Sequence, residues 1–158
     1  MLKIDTHLHL GGSIPVSFVW ETVQKYGLRH LAESHEDVLC QMTFCEGEHR
    51  TFHRFLDKFR ILDELPWDID LIDESVRAVS HYLATQGIDY AWMDFSINKY
   101  MKIGWHKHEA ITFIHDAFRR YRPGGVGLIL SLKYESMKAS QRQYAKLIEH
   151  EDAAKYLV

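Results

Sequence analysis

The chain has 158 residues, 46% of them hydrophobic and 13% aromatic, enough to bury a core as one domain over residues 1–158. A formal net charge of −3 with histidine neutral leaves no basic footprint for gripping a nucleic-acid backbone, so nucleic acid is not an expected partner. No run approaches the roughly 18 apolar residues that span a bilayer, and Asp5 falls where a secretory leader would carry its apolar stretch. A soluble, cytoplasmic protein with no membrane partner is expected.

Leu2 to Leu10 alternates, with Leu2, Ile4, Thr6, Leu8 and Leu10 on one face and Lys3, Asp5, His7 and His9 on the other, the period of a strand. After Gly11-Gly12-Ser13, Pro15 suits the first turn of a helix that carries Phe18, Val19, Val23 and Tyr26 and stops at Gly27. A less regular stretch from Arg29 to Thr51 holds Cys40 and Cys45. Spaced C-x4-C with no second pair, they read as reduced thiols. A second helix carries Phe52, Phe55, Leu56, Phe59, Leu62 and Leu65 and ends at Pro66. The third runs from about Asp70 to Gln86, with Leu71, Ile72, Ser75, Val76, Val79, Tyr82 and Leu83 on one stripe and Gly87 as its stop.

Ile88 to Ile97 is the second strand, with Ala91, Met93, Phe95 and Ile97 on one phase and Tyr90, Trp92, Asp94 and Ser96 on the other. A helix from about Lys107 to Tyr121 has Ile111, Ile114, Ala117, Phe118 and Tyr121 on its apolar face, and Pro123-Gly124-Gly125 breaks it. Gly125 to Tyr134 is the third strand, Met137 to about His150 a further helix, and Lys155-Tyr156-Leu157-Val158 the start of a fourth strand. Strands alternating with helices build β/α units around a parallel sheet. A full (β/α)8 barrel takes about 250 residues. The expected class is therefore α/β, the amino-terminal half of a (β/α)8 TIM-type barrel with about three β/α units.

Histidines at i and i+2 on a strand project from one face, where two ring nitrogens can share an ion. His7 and His9 have a strand before them, glycines after them and Asp5 on the expected face, and they read as metal ligands. His106 and His108, in W-H-K-H, lack any strand pattern and read as solvated.

The segment IDTHLHLGGSIP, residues 4–15, resembles the opening motif of the adenosine deaminase family within the amidohydrolase superfamily. FHRFLDKFRILDEL resembles that family's F-L-x-K-F helix, and QGIDYAWMDFS and GLILSLKYES stand where its second and third strands do. The first motif is the specific one, and TatD-like nucleases share its D-T-H-x-H start. The resemblance implies that His7 and His9 bind a catalytic zinc, that Gly11 and Gly12 lie against the substrate, and that Phe55 and Phe59 form an apolar wall over a purine. Those phenylalanines fit helix core equally well, since i, i+4 spacing serves both. Three positions depart from the family: Gly11 replaces an acidic or amide residue, Trp92 and Asp94 stand for Glu and Arg, and Lys133 stands for Arg. Asp94 and Lys133 either pair with each other or are each solvated.

The implied activity is zinc-dependent hydrolysis of the 6-amino group of adenosine or a related purine nucleoside or nucleotide. In the family the remaining ligands and the proton shuttle come from later strands. Catalytic residues are therefore expected beyond residue 158, and the chain alone is expected to be inactive. It is then part of a split enzyme completed by a second polypeptide or an oligomer, or a fragment of a longer chain. The alternatives are a TatD-like metal-dependent phosphoesterase and a non-catalytic scaffold remnant of the deaminase fold.

Overall fold

The computed structural model describes residues 1–96, 103–122, 125–131 and 142. It divides into two units, Met1–Leu10 with Asp68–Val158, and Gly11–Trp67.

Among the described residues, the first unit is a three-stranded parallel sheet with two long helices. Strands β1 (Ile4–His9), β2 (Tyr90–Ser96) and β3 (Val126–Ser131) lie side by side in chain order. Parallel neighbours need a long crossover. Helix α5 (Ile69–Thr85) lies between β1 and β2 in the chain, and α6 (Lys107–Tyr121) lies between β2 and β3. On the α5 stripe Leu71, Ile72, Ser75, Val76, Val79 and Leu83 are buried, but Tyr82, expected with them, is 42% exposed; Ala110, Ile111, Ile114, Ala117 and Phe118 of α6 are buried as well. On β2 the phase Ala91, Met93 and Phe95 is fully covered. Each such side chain is worth about 1.5–3 kcal/mol of burial when large.

The ends of α5 are set locally. Asp68 Oδ1 accepts the Leu71 N–H at 2.8 Å, capping one orphan donor. At the other end Gly87 takes a φ of 65°, and Ile88 N donates to Leu83 O at 3.0 Å while Gly87 N donates to Ala84 O at 3.0 Å, a Schellman stop. Asp73 of α5 ties α6 to it. Its carboxylate accepts from Arg120 Nη1 at 3.0 Å and from the Tyr121 hydroxyl. That second bond, with burial, raises the Tyr121 pKa.

The second unit is helical: α1 (Val16–Lys25), α2 (His35–Met42), α3 (Phe52–Asp57) and α4 (Arg60–Asp63), with α1 and α4 both packed on α2. Phe18, Val19, Val23, Val38, Ile61 and Leu62 are buried. Two expectations change here. The stretch read as irregular contains α2, which Ser34 starts with a capping box: its hydroxyl accepts the Asp37 N–H at 3.1 Å and Asp37 Oδ2 accepts the Ser34 N–H at 2.9 Å. The hydrogen bond from Ser34 lowers the Asp37 pKa. The helix expected from Phe52 to Leu65 is two helices, because Lys58 N, Phe59 N and Leu62 N bond three residues back, to Phe55, Leu56 and Phe59, the tighter 3₁₀ pattern. Lys58 Nζ is held away from its own helix by Cys40 O at 2.9 Å and Glu48 Oε2 at 2.7 Å. Cys40 and Cys45 are free thiols, and a hydrogen bond with Cys45 pushes the Cys40 pKa up to about 11.

The helix expected over Met137 to His150, the start of a fourth strand at residues 155–158, and Lys133 lie outside the described residues. Among the described residues no helix is long and apolar enough to cross a membrane.

Candidate metal centre

Strand β1 does not keep a strict two-residue alternation. Ile4 and Asp5 pair with Tyr90 and Ala91, but Leu8 and His9 pair with Met93 and Asp94. Three steps on β1 thus match two on β2, so an extra residue bulges at Thr6–His7. Asp5 therefore shares the buried phase of Ala91 and Met93, whereas His9 shares the phase of Tyr90, Trp92 and Asp94. The expectation that Asp5 and His9 point the same way is corrected by this slip. Asp5 serves the bulge instead, its Oδ1 accepting the His7 backbone N–H at 3.1 Å.

The face that receives His9 is the more polar one. Its residues are Tyr90, Trp92, Asp94 and Ser96 of β2 and, by register, Gly127, Ile129 and Ser131 of β3. Tyr90 and Trp92 meet edge to face with centroids 5.5 Å apart. A Cβ added to Gly127 would sit 2.6 Å from the Trp92 ring, so the glycine clears space for the indole.

At the end of β1 the two imidazoles converge. Their centroids are 4.8 Å apart with planes at 88°, and His7 Nε2 lies 3.1 Å from His9 Nε2. Two nitrogens bound at about 2.0–2.1 Å to one tetrahedral zinc lie roughly 3.3 Å from each other, so the pair fits a shared ion through Nε2. Behind His9, Asp94 Oδ1 is 3.5 Å from Nδ1. Asp94 is only 7% exposed, and the Ser131 hydroxyl lies 2.6 Å from each of its carboxylate oxygens, satisfying a charge that burial would otherwise penalise. Among the described residues no group of three or more His, Cys, Asp or Glu is placed to hold an ion.

Sequence reasoning missed Ser131 as the partner of Asp94. The available signal was register: Asp94 lies opposite Ile129, and Ser131, two residues further, shares that face.

Of the other residues singled out, Gly11 begins a single 3₁₀ turn, Gly11–Ser13, with no positive φ. The sharp turn after the histidines is thus one that any residue could make, and a Cβ on Gly11 would meet nothing within 4 Å. Gly12 lies in the same turn, in the helical unit. Phe55 and Phe59 also belong to that unit, edge to face at 5.3 Å. Phe55 is 47% exposed and α3 buries no residue at all, so Phe55 is not core. His106 is an exposed N-cap of α6, its N–H held by Glu109 Oε2 at 2.7 Å, and its ring stacks on that of His108.

No family model matches the sequence. Solved structures do match the fold. An adenine deaminase from Arthrobacter aurescens superposes with a TM-score of 0.71 at 16% identity, covering 94% of this chain and 45% of its own. Arabidopsis ADAL, solved with GMP, gives 0.70 at 20% identity over 97% of this chain and 47% of its own. The Arabidopsis N6-mAMP deaminase MAPDA gives 0.70 at 20% over 97% and 48%. The chain therefore has the fold of part of a deaminase (β/α)8 barrel, and it spans about half the length of the solved proteins it matches.

Proposed function

We propose that this chain supplies the strand-one metal ligands of a zinc-dependent deaminase that hydrolyses the 6-amino group of adenosine or a related purine nucleoside or nucleotide. The observation that carries the reading is the 3.1 Å approach of the His7 and His9 Nε2 atoms at the end of a parallel strand. The shared fold supports it, since proteins of that fold have been solved as deaminases of adenine and of N6-mAMP. Zinc, when bound, supplies the acidity that makes water a nucleophile near neutral pH.

The residues of this chain would bind and orient. His7 and His9 would hold the ion through Nε2, and the Asp5 bond to the His7 N–H steadies the bulge that presents them. Phe55, with Phe59 against its edge, offers an exposed aromatic surface suited to a purine ring. Gly11, where an added Cβ would meet nothing within 4 Å, and Gly12 after it would let a substrate approach the backbone closely. A catalytic zinc takes three protein ligands and keeps one open position. The further ligand and the proton-transfer groups would come from polypeptide that completes residues 1–158 into a barrel, whether a second chain, an oligomer or the rest of a longer cytoplasmic protein.

The test is metal analysis of the purified protein with any polypeptide that accompanies it. It is combined with ammonia-release assays on adenosine, deoxyadenosine, their phosphates and adenine. About one zinc per site is expected, lost together with activity in His7→Ala. A zinc-free, inactive assembly would make the chain a scaffold, and metal-dependent phosphoesterase activity without ammonia release would make it a nuclease relative.

A further inference from the structure

We propose that Asp94 is a positioning residue for this metal site: its carboxylate draws the ring N–H of His9 to Nδ1 and so makes Nε2, which faces Nε2 of His7, the acceptor nitrogen. The purpose assigned to that acceptor nitrogen rests on the zinc reading above; the hold on the ring stands on its own geometry.

Three observations converge. The rung that pairs His9 with Asp94 is fixed by backbone, since Leu10 N donates to Asp94 O at 2.8 Å. The carboxylate is buried and oriented, with a single Ser131 hydroxyl proton shared between both oxygens. One of those oxygens then lies 3.5 Å from His9 Nδ1. That is the outer limit of a hydrogen bond, but a buried negative charge at this range favours a ring N–H turned toward it.

A neutral imidazole carries one N–H, and fixing it at one nitrogen makes the other an acceptor. If His9 is protonated on Nδ1, the Nε2 to Nε2 contact of 3.1 Å is satisfied only when His7 carries its hydrogen on Nε2. The two histidines therefore hold opposite tautomers in the metal-free protein. A cation entering between them requires only that His7 take its other neutral tautomer, its hydrogen moving from Nε2 to Nδ1 by way of solvent, and it finds the His9 lone pair already presented. Carboxylates behind metal-bound histidines act in this way by fixing tautomer and ring orientation.

Long-range nitrogen–proton NMR of the imidazoles reads the tautomers directly. It is run on the metal-free full chain with any accompanying polypeptide, well above the ordinary imidazole pKa of about 6.5, and paired with Co2+ titration followed by its visible spectrum. Expected are His9 with hydrogen on Nδ1 and His7 with hydrogen on Nε2. Asp94→Leu, which keeps bulk and removes the acceptor, should release the His9 preference and weaken Co2+ binding by about 10–100-fold. Asp94→Asn, which restores an acceptor without charge, should recover part of both. Hydrogen on Nε2 of wild-type His9 overturns the proposal with no variant needed, so a poorly folding Asp94→Leu protects nothing. An unchanged His9 tautomer in Asp94→Leu overturns it as well. The expected tautomers in a chain that binds no Co2+ would sink the zinc reading and keep the hold of Asp94 on His9.

Discussion

The sheet unit and the helical unit satisfy their polar groups by different means. In the sheet unit the partners at the histidine site are far apart in sequence: His9 faces Asp94, and Asp94 faces Ser131, 37 residues further on. They meet only because three strands hold a fixed register over a core in which Ala91, Met93, Leu71, Val76 and Val79 are fully buried. In the helical unit the partners are mostly near neighbours, Ser34 with Asp37 and Thr51 with Arg54. Its helices of ten, eight, six and four residues are shorter than the roughly 12–15 that hold alone in water. A site needing two nitrogens placed to a few tenths of an ångström belongs on the first kind of scaffold.

That contrast can be tested by breaking each unit at its own support. Met93→Ala, in the fully buried phase of the central strand, should cost about 2–5 kcal/mol in urea unfolding and should also spread the histidine rings, seen as weaker Co2+ binding. Ser34→Ala removes the α2 cap and should cost about 1 kcal/mol, read as faster amide exchange confined to residues 35–42, with Co2+ binding intact. Equal costs, or loss of Co2+ binding in the cap variant, would erase the distinction.

The smallest effect concerns Glu48. Its hydrogen bond from Lys58 holds the carboxyl below the ordinary 4.5. A depressed folded value means that the contribution is complete above the unfolded value and is lost as pH falls through the folded one. Lys58→Met should flatten that acid limb, measured as the pH dependence of unfolding below about pH 5. An identical limb in both proteins would rank the pair with surface contacts that stabilise nothing.

Much of the sheet unit was legible, because its signals are periodic. Alternation marked β1 and β2, the apolar stripe and Gly87 marked α5, and α6 runs from Lys107 to Tyr121 as expected. The H-x-H spacing on β1 marked the histidine pair. What escaped falls into two kinds. The start of α2 was written in Ser34-His35-Glu36-Asp37, a capping signal hidden because no long apolar stripe follows eight residues of helix. The β1 bulge, the Ser131 partner of Asp94 and the break at Lys58 depend on cross-strand or cross-loop contacts, which no local period encodes. Asp94 illustrates the limit: its phase, shared with Trp92 and Ser96, was readable, its partner was not.

The extra residue in β1 lets one short strand do two jobs that strict alternation would set against each other. Before it, Lys3 lies in the same phase as Asp5, and its ammonium grips the carbonyl of Gln86, the C-cap of α5, at 2.7 Å. After it, the same odd-numbered rhythm delivers imidazole to the opposite side of the sheet. Removing Thr6 would leave every side chain available yet force a choice between clamping the helix and presenting the ligand. What must be preserved between Lys3 and His9 is thus a count of peptide units, more than the identity of the side chain at the crest.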